Sequence, residues 1–141
     1  MITVNKIFRF ETAHALYGYE GPCRQIHGHS YELHVTVSSP QEIDGLLGKP
    51  GFVMDFRKLK DIVNREVISL LDHRLLLSRN YLDDHPAIRN ADNLLETGFE
   101  PTSENLLIFI KSLLIKGLPD TVRLKKLKLS ETATSYAEWN A

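Results

Sequence analysis

Two long stretches of alternating polarity stand near the start of the chain, and together they limit the folds open to it. In residues 2–14, Ile2, Val4, Phe8, Phe10, Thr12 and His14 share one parity, with Lys6 interrupting the face. In residues 27–38, Tyr31, Leu33, Val35 and Val37 do the same. Side chains two apart in a strand point to one side, so each stretch reads as a strand with a single buried face. Gly18, Gly21 and Pro22 break the pattern between them, which predicts that the second strand folds back and pairs with the first.

A turn-rich stretch from Ser38 to Gly51 follows. Asp55 then makes a good N-cap for a helix whose apolar face is Leu59, Ile62, Val63, Val67, Leu70 and Leu71, and which should end near Asp72-His73. Residues 78–100, with Pro86 and Gly98, show no clean period and read as a long irregular connection that decorates the surface. Pro101-Thr102-Ser103-Glu104-Asn105 has the capping hydroxyls and early acid of a second helix start, with the apolar run Leu106 to Ile115 beyond it and Gly117 and Pro119 as the stop. Thr121 to Glu131 and Ala133 to Trp139 read as two more strands, and the parity switch between Leu124 and Leu127 predicts a bulge. The expected fold class is α+β, ordered β-β-α-α-β-β, with a four-stranded antiparallel sheet and both helices on one face. At 141 residues, the chain is expected to form one domain over 1–141.

Composition narrows the function classes. The formal net charge is −1 with basic and acidic residues interspersed, so no nucleic-acid footprint is present. No apolar run is long enough to span a membrane and the first residues lack the pattern of a signal peptide, so a cytoplasmic protein is expected.

His27-Gly28-His29 places two imidazoles on the same side of a strand with only a glycine between them. If the first two strands pair, His14 approaches the same patch. Three neutral nitrogens with one vacant place describe a catalytic zinc site. An isolated H-x-H pair is more often two unrelated polar residues, but here three of six histidines fall close together beside the only cysteine. His34 has the opposite parity and His85 lies in the connection, so both read as surface or packing residues. For Cys23, three readings compete: a fourth ligand, a reactive thiolate, or an inert small residue. The short spacing to His27 favours catalysis, with ligation as its rival.

Phe10-Glu11-Thr12-Ala13-His14, Cys23-Arg24-Gln25-Ile26-His27-Gly28-His29, Leu71-Asp72-His73, Pro101-Thr102-Ser103-Glu104-Asn105 and Ser130-Glu131-Thr132 occur in order over nearly the whole chain. This set resembles the 6-pyruvoyltetrahydropterin and 6-carboxytetrahydropterin synthase family. The spacer before His-Gly-His looks more like that of the bacterial carboxy-pterin enzymes of queuosine precursor synthesis. The resemblance implies the tunnelling fold, zinc held by His14, His27 and His29, and Cys23 as general base in a relay with Asp72 and His73. It also implies that Glu131 grips the pterin ring and that the Thr102 and Glu104 motif lies near the pocket. The implied reaction is a lyase step on 7,8-dihydroneopterin triphosphate giving 6-carboxy-5,6,7,8-tetrahydropterin, acetaldehyde and triphosphate, with the pyruvoyl enzyme as the alternative and a non-catalytic zinc protein as the rival class. A homo-oligomer built on trimers, a hexamer, with sites between subunits is implied as well. On sequence alone Asp72-His73 would read as a helix C-terminus and Thr102 and Glu104 as helix capping, and capping remains the main role expected of the latter pair.

Overall fold

The computed structural model describes all 141 residues. Strands β1 (Thr3–His14) and β2 (His27–Ser38) form an antiparallel ladder running from Thr3 opposite Ser38 to His14 opposite His27. The even-numbered side of β1 and the odd-numbered side of β2 are buried, as the alternation requires. Phe8, Phe10, Tyr31, Leu33, Val35 and Val37 line this face, and each such fully buried side chain contributes about 1.5–3 kcal/mol relative to exposure.

Helix α1 (Phe56–Val63) starts at Asp55, whose carboxylate accepts the Arg57 N–H at 2.8 Å. It continues through a π-helical turn (Asn64–Ile68) into α2 (Ser69–Leu71), and Leu59, Ile62, Val63, Val67 and Leu71 pack into the core. The helix stops at Asp72-His73, where His73 has a φ of 61°. This left-handed conformation costs a residue with a β-carbon about 1–2 kcal/mol, and the His73 N–H secures it by donating to the Glu11 carbonyl at 2.6 Å.

The segment that follows corrects two expectations. Residues 78–100 are not an irregular connection and the sheet is not four antiparallel strands. β3 (Arg74–Ser78) pairs in parallel with residues Thr12–His14 of β1, and β4 (Leu94–Thr97) pairs in parallel with β3. Between them lie α3 (Arg79–Asp84), capped by Ser78, and a 3-10 turn at Pro86–Asn90. Leu76 enters the main core whereas Leu75 and Leu77 enter a second cluster with Ala15, Tyr81 and Leu82. A strand buried on both faces has no polar side, so it carries no alternation to detect.

Helix α4 (Ser103–Gly117) is capped by Thr102 and buries Leu106, Leu107, Ile110 and Leu114. β5 (Arg123–Ser130) and β6 (Tyr136–Asn140) complete a sheet ordered β4-β3-β1-β2-β5-β6. The expected bulge is present. Thr36 opposes Lys126 and Val37 opposes Leu124, which leaves Lys125 as the extra residue. No helix is long and apolar enough to cross a membrane.

Candidate metal centre and adjoining pocket

The last pair of the β1–β2 ladder sets His14 directly opposite His27, and His29 lies two residues further along β2 on the same side. Ring centroids are 4.6 Å apart for His14 and His27, 5.1 Å for His14 and His29, and 4.9 Å for His27 and His29. One donor nitrogen from each lies within 4.8 Å of the others, a spacing that could hold a metal ion. Cys23 is not part of this donor cluster.

The hydrogen bonds behind the rings decide what the front nitrogens can do. His14 Nδ1 is 2.6 Å from the Pro101 carbonyl and His27 Nδ1 is 2.7 Å from the Gln25 carbonyl. A carbonyl only accepts, so both Nδ1 atoms carry the proton and, in the neutral rings, both Nε2 atoms present lone pairs. Burial, opposed by the Pro101 hydrogen bond and aided by the neighbouring His27, holds the His14 pKa below its ordinary 6.5, favouring the neutral ring. Yet the two Nε2 atoms face each other at 3.0 Å. Two lone pairs so close repel unless a cation lies between them. His29 Nε2 is buried without a hydrogen-bond partner, and burial likewise lowers its pKa. The donor set, its tautomers and the orphaned nitrogen therefore fit a divalent metal.

Beside this cluster is a cavity of about 310 Å³ lined by His14, Cys23, Thr102, Glu104, Glu131 and Tyr136, among others. Cys23 is half-buried in a short 3-10 turn at Pro22–Arg24, and its carbonyl accepts the Leu16 N–H at 2.9 Å. Glu131 stands in the turn between β5 and β6, where its N–H donates to the Ser135 carbonyl at 3.0 Å. Its Oε1 lies 3.2 Å from His29 Nε2, 3.5 Å from His14 Nε2 and 3.5 Å from the Tyr31 hydroxyl. Thr102 caps α4 by accepting the Asn105 N–H at 3.3 Å. A larger cavity of about 450 Å³ lies beyond Leu16 and Tyr19, but Cys23, Glu131 and the three imidazoles do not line it. The chemistry is concentrated in the smaller one.

Asp72 and His73 sit elsewhere. Asp72 Oδ1 accepts the Glu11 N–H at 2.9 Å and lies 3.0 Å from His73 Nδ1. That backbone hydrogen bond is the main cause holding the Asp72 carboxyl below its ordinary range. His73 lines a different cavity, of about 340 Å³, together with His29, Arg74 and Asn93. Within one chain, then, Asp72 and His73 pair with each other, and Cys23 faces a separate pocket.

A family model described as 6-pyruvoyl tetrahydropterin synthase matches residues 3–141. The chain belongs to this family. A 6-carboxy-5,6,7,8-tetrahydropterin synthase of Haemophilus influenzae is 29% identical over 143 residues, covering 99% of each chain. The protein of that name from Synechocystis is 34% identical, covering 99% of this chain and 93% of its own. A dihydroneopterin monophosphate aldolase of Pyrococcus furiosus is 35% identical over 122 residues, covering 86% and 82%. Among solved structures, 6-pyruvoyl tetrahydropterin synthase of Caenorhabditis elegans superimposes with a TM-score of 0.69 at 24% identity, covering 99% of this chain and 95% of its own. The architecture is thus the expected α+β tunnelling fold, with a sheet two strands wider than expected.

In this family member the structure gathers His14, His27, His29, Glu131 and Cys23 around adjoining space. It adds three groups that residue patterns did not single out: the carbonyls of Pro101 and Gln25, and the hydroxyl of Tyr31. The first two had no signal to find, because every residue has a carbonyl. Tyr31 has the parity of His27 and His29, which placed it on the correct face. His34 and His85 stay outside the cluster: His34 Nε2 is 2.8 Å from Glu32 Oε1, and His85 stacks on Tyr81 at 4.4 Å.

Proposed function

We propose that the chain is a zinc-dependent lyase that takes 7,8-dihydroneopterin triphosphate and water to 6-carboxy-5,6,7,8-tetrahydropterin, acetaldehyde and triphosphate, a step in queuosine precursor synthesis in the cytoplasm. The observation that carries the reading is the three-imidazole cluster with Cys23 and Glu131 on the wall of the cavity beside it. The near-full-length relatives named as 6-carboxy-5,6,7,8-tetrahydropterin synthases support the substrate class.

Three neutral imidazoles with an open place are the donor set of a catalytic zinc ion, which when bound supplies Lewis acidity toward the substrate's side-chain oxygens. Glu131 offers two acceptor oxygens to the paired N–H donors of a pterin ring, fixing its orientation by a charge-assisted pair. Cys23, on the same cavity wall, is placed to take a carbon-bound proton from the side chain. Asp72 would orient His73 in a relay with Cys23. Since the two groups line different cavities, the relay needs Asp72 and His73 to come from a neighbouring subunit.

The open edges supply a motive for such assembly. β1 is paired on its outer side only at Thr12–His14, which leaves the edge upstream of Thr12 available, and β6 ends the sheet on the other side. We accordingly assign a homo-oligomer built from trimers, a hexamer.

Product analysis tests the reading. Zinc-loaded protein given dihydroneopterin triphosphate should release acetaldehyde and triphosphate in equal amounts. Triphosphate without acetaldehyde would place the chain with the pyruvoyl enzymes, and neither product would remove the lyase assignment.

A further inference from the structure

Glu131 belongs to two neighbourhoods at once. Its Oε1 is 3.2 Å from His29 Nε2 and 3.5 Å from His14 Nε2. Donor atoms around a tetrahedral ion with bonds of about 2.0–2.1 Å stand about 3.3–3.4 Å apart, so Oε1 keeps ligand-to-ligand spacing from two of the three imidazoles. The contact with His29 is not a hydrogen bond: despite the short distance, His29 Nε2 has no partner in bonding geometry. A carboxylate oxygen and an imidazole nitrogen this close, with no hydrogen bond between them, are spaced as two donors to one cation. The same carboxylate lines the cavity that Cys23 and Thr102 share.

The surroundings allow the side chain to choose. The Glu131 backbone is pinned in the β5–β6 turn by its bond to Ser135, so only the side chain has to move. Tyr31, stacked on Phe10 at 5.3 Å, holds its hydroxyl 3.5 Å from Oε1 and marks the inner end of that movement.

We propose that Glu131 is a ligand of the metal in the resting protein, and that a bound pterin ring draws its carboxylate off into the cavity. The coordination place then opens only when a ring with paired N–H donors is seated. This rests on the reading above in which Glu131 meets the ring, and it adds a second role for the same residue.

The test uses Co2+, whose visible absorption reports its coordination, added to metal-free full-length protein. Glu131→Gln and Glu131→Asp should both change the spectrum and weaken Co2+ binding by at least about tenfold, the scale on which even the partners of metal ligands act. Unsubstituted pterin, which lacks the reacting side chain, should shift the wild-type spectrum toward that of Glu131→Gln and leave the variant's unchanged. Identical spectra and affinities for wild type and both variants would overturn the proposal while leaving the lyase reading intact. A wild-type spectrum indifferent to saturating pterin would overturn the displacement. Failure of the wild type to bind Co2+ at all would overturn both readings together.

Discussion

The two flanks of the sheet follow different rules, and the three-imidazole cluster sits at their seam. On one side β1, β2 and β5 are antiparallel, with a buried face against the helices and the opposite face polar. On the other, β3 and β4 are short, parallel and buried by side chains on both faces of β3. Only Thr12–His14 of β1 are paired on both edges, to β2 and to β3. Of the three imidazole-bearing residues, His14 is therefore the one whose backbone is held from both sides. The added flank backs the end of β1 that carries His14, without giving the three-imidazole cluster any donor of its own.

The largest expected effect tests the seam itself. His14→Ala should lower metal affinity at least about a hundredfold and abolish turnover, because it removes a ligand outright where loss of an outer partner already costs about 10–100-fold. Metal content after dialysis checks this, and full metal retention would break the link between the ladder end and the site. Next comes the parallel flank. Leu77→Ala should cost about 2–5 kcal/mol in denaturant unfolding, matching Leu33→Ala on the other flank, since both side chains are wholly buried. A cost well under 1 kcal/mol for Leu77 alone would return β3 and β4 to the status of surface decoration.

Smaller effects sharpen the same contrast. Ser78→Ala removes the hydroxyl that accepts the Tyr81 N–H at 3.3 Å and should cost about 1 kcal/mol, read as a shifted unfolding midpoint with unchanged slope. The smallest effect is pH-dependent. The Glu11 N–H, and then His73, hold the Asp72 carboxyl below its ordinary 3.8. Its stabilising contribution is complete above that value and is lost as pH falls through the lower folded value. Asp72→Asn should therefore lose that small contribution near neutrality and differ little from wild type at strongly acid pH, which flattens the acid limb of a stability–pH profile below about pH 4.

How much of this was legible depends on whether a residue's environment is written in its own pattern. β1 and β2 alternate because one face meets water, and Asp55, Thr102 and the Lys125 bulge leave local signatures in cap chemistry and parity. Leu75, Leu76 and Leu77 leave none, since a strand enclosed on both sides reads as a bare apolar run. At the site, strand parity joined His27 to His29, and the ladder register completed the set with His14. Glu131 lines the adjoining cavity. Its approach to the imidazoles depends on the turn that bonds it to Ser135, a tertiary detail with no sequence period. Asp72 and His73 stand apart from Cys23 within the chain, His73 and Cys23 lining different cavities, a separation that no residue period foretold.

The clamp around Glu100 has a practical corollary for engineering. The Glu100 carbonyl takes bonds from Thr102 N–H at 2.8 Å and the Asn105 side chain at 3.0 Å, while its carboxylate takes the Tyr17 N–H at 2.7 Å. These ties anchor the chain just before Pro101, whose carbonyl steers His14. Gly98, exposed and with open space around it, lies upstream of that anchor. Foreign sequence spliced in at Gly98 would hang from the molecule like a tether on a cleat, its pull ending at Glu100 before it could turn the imidazole.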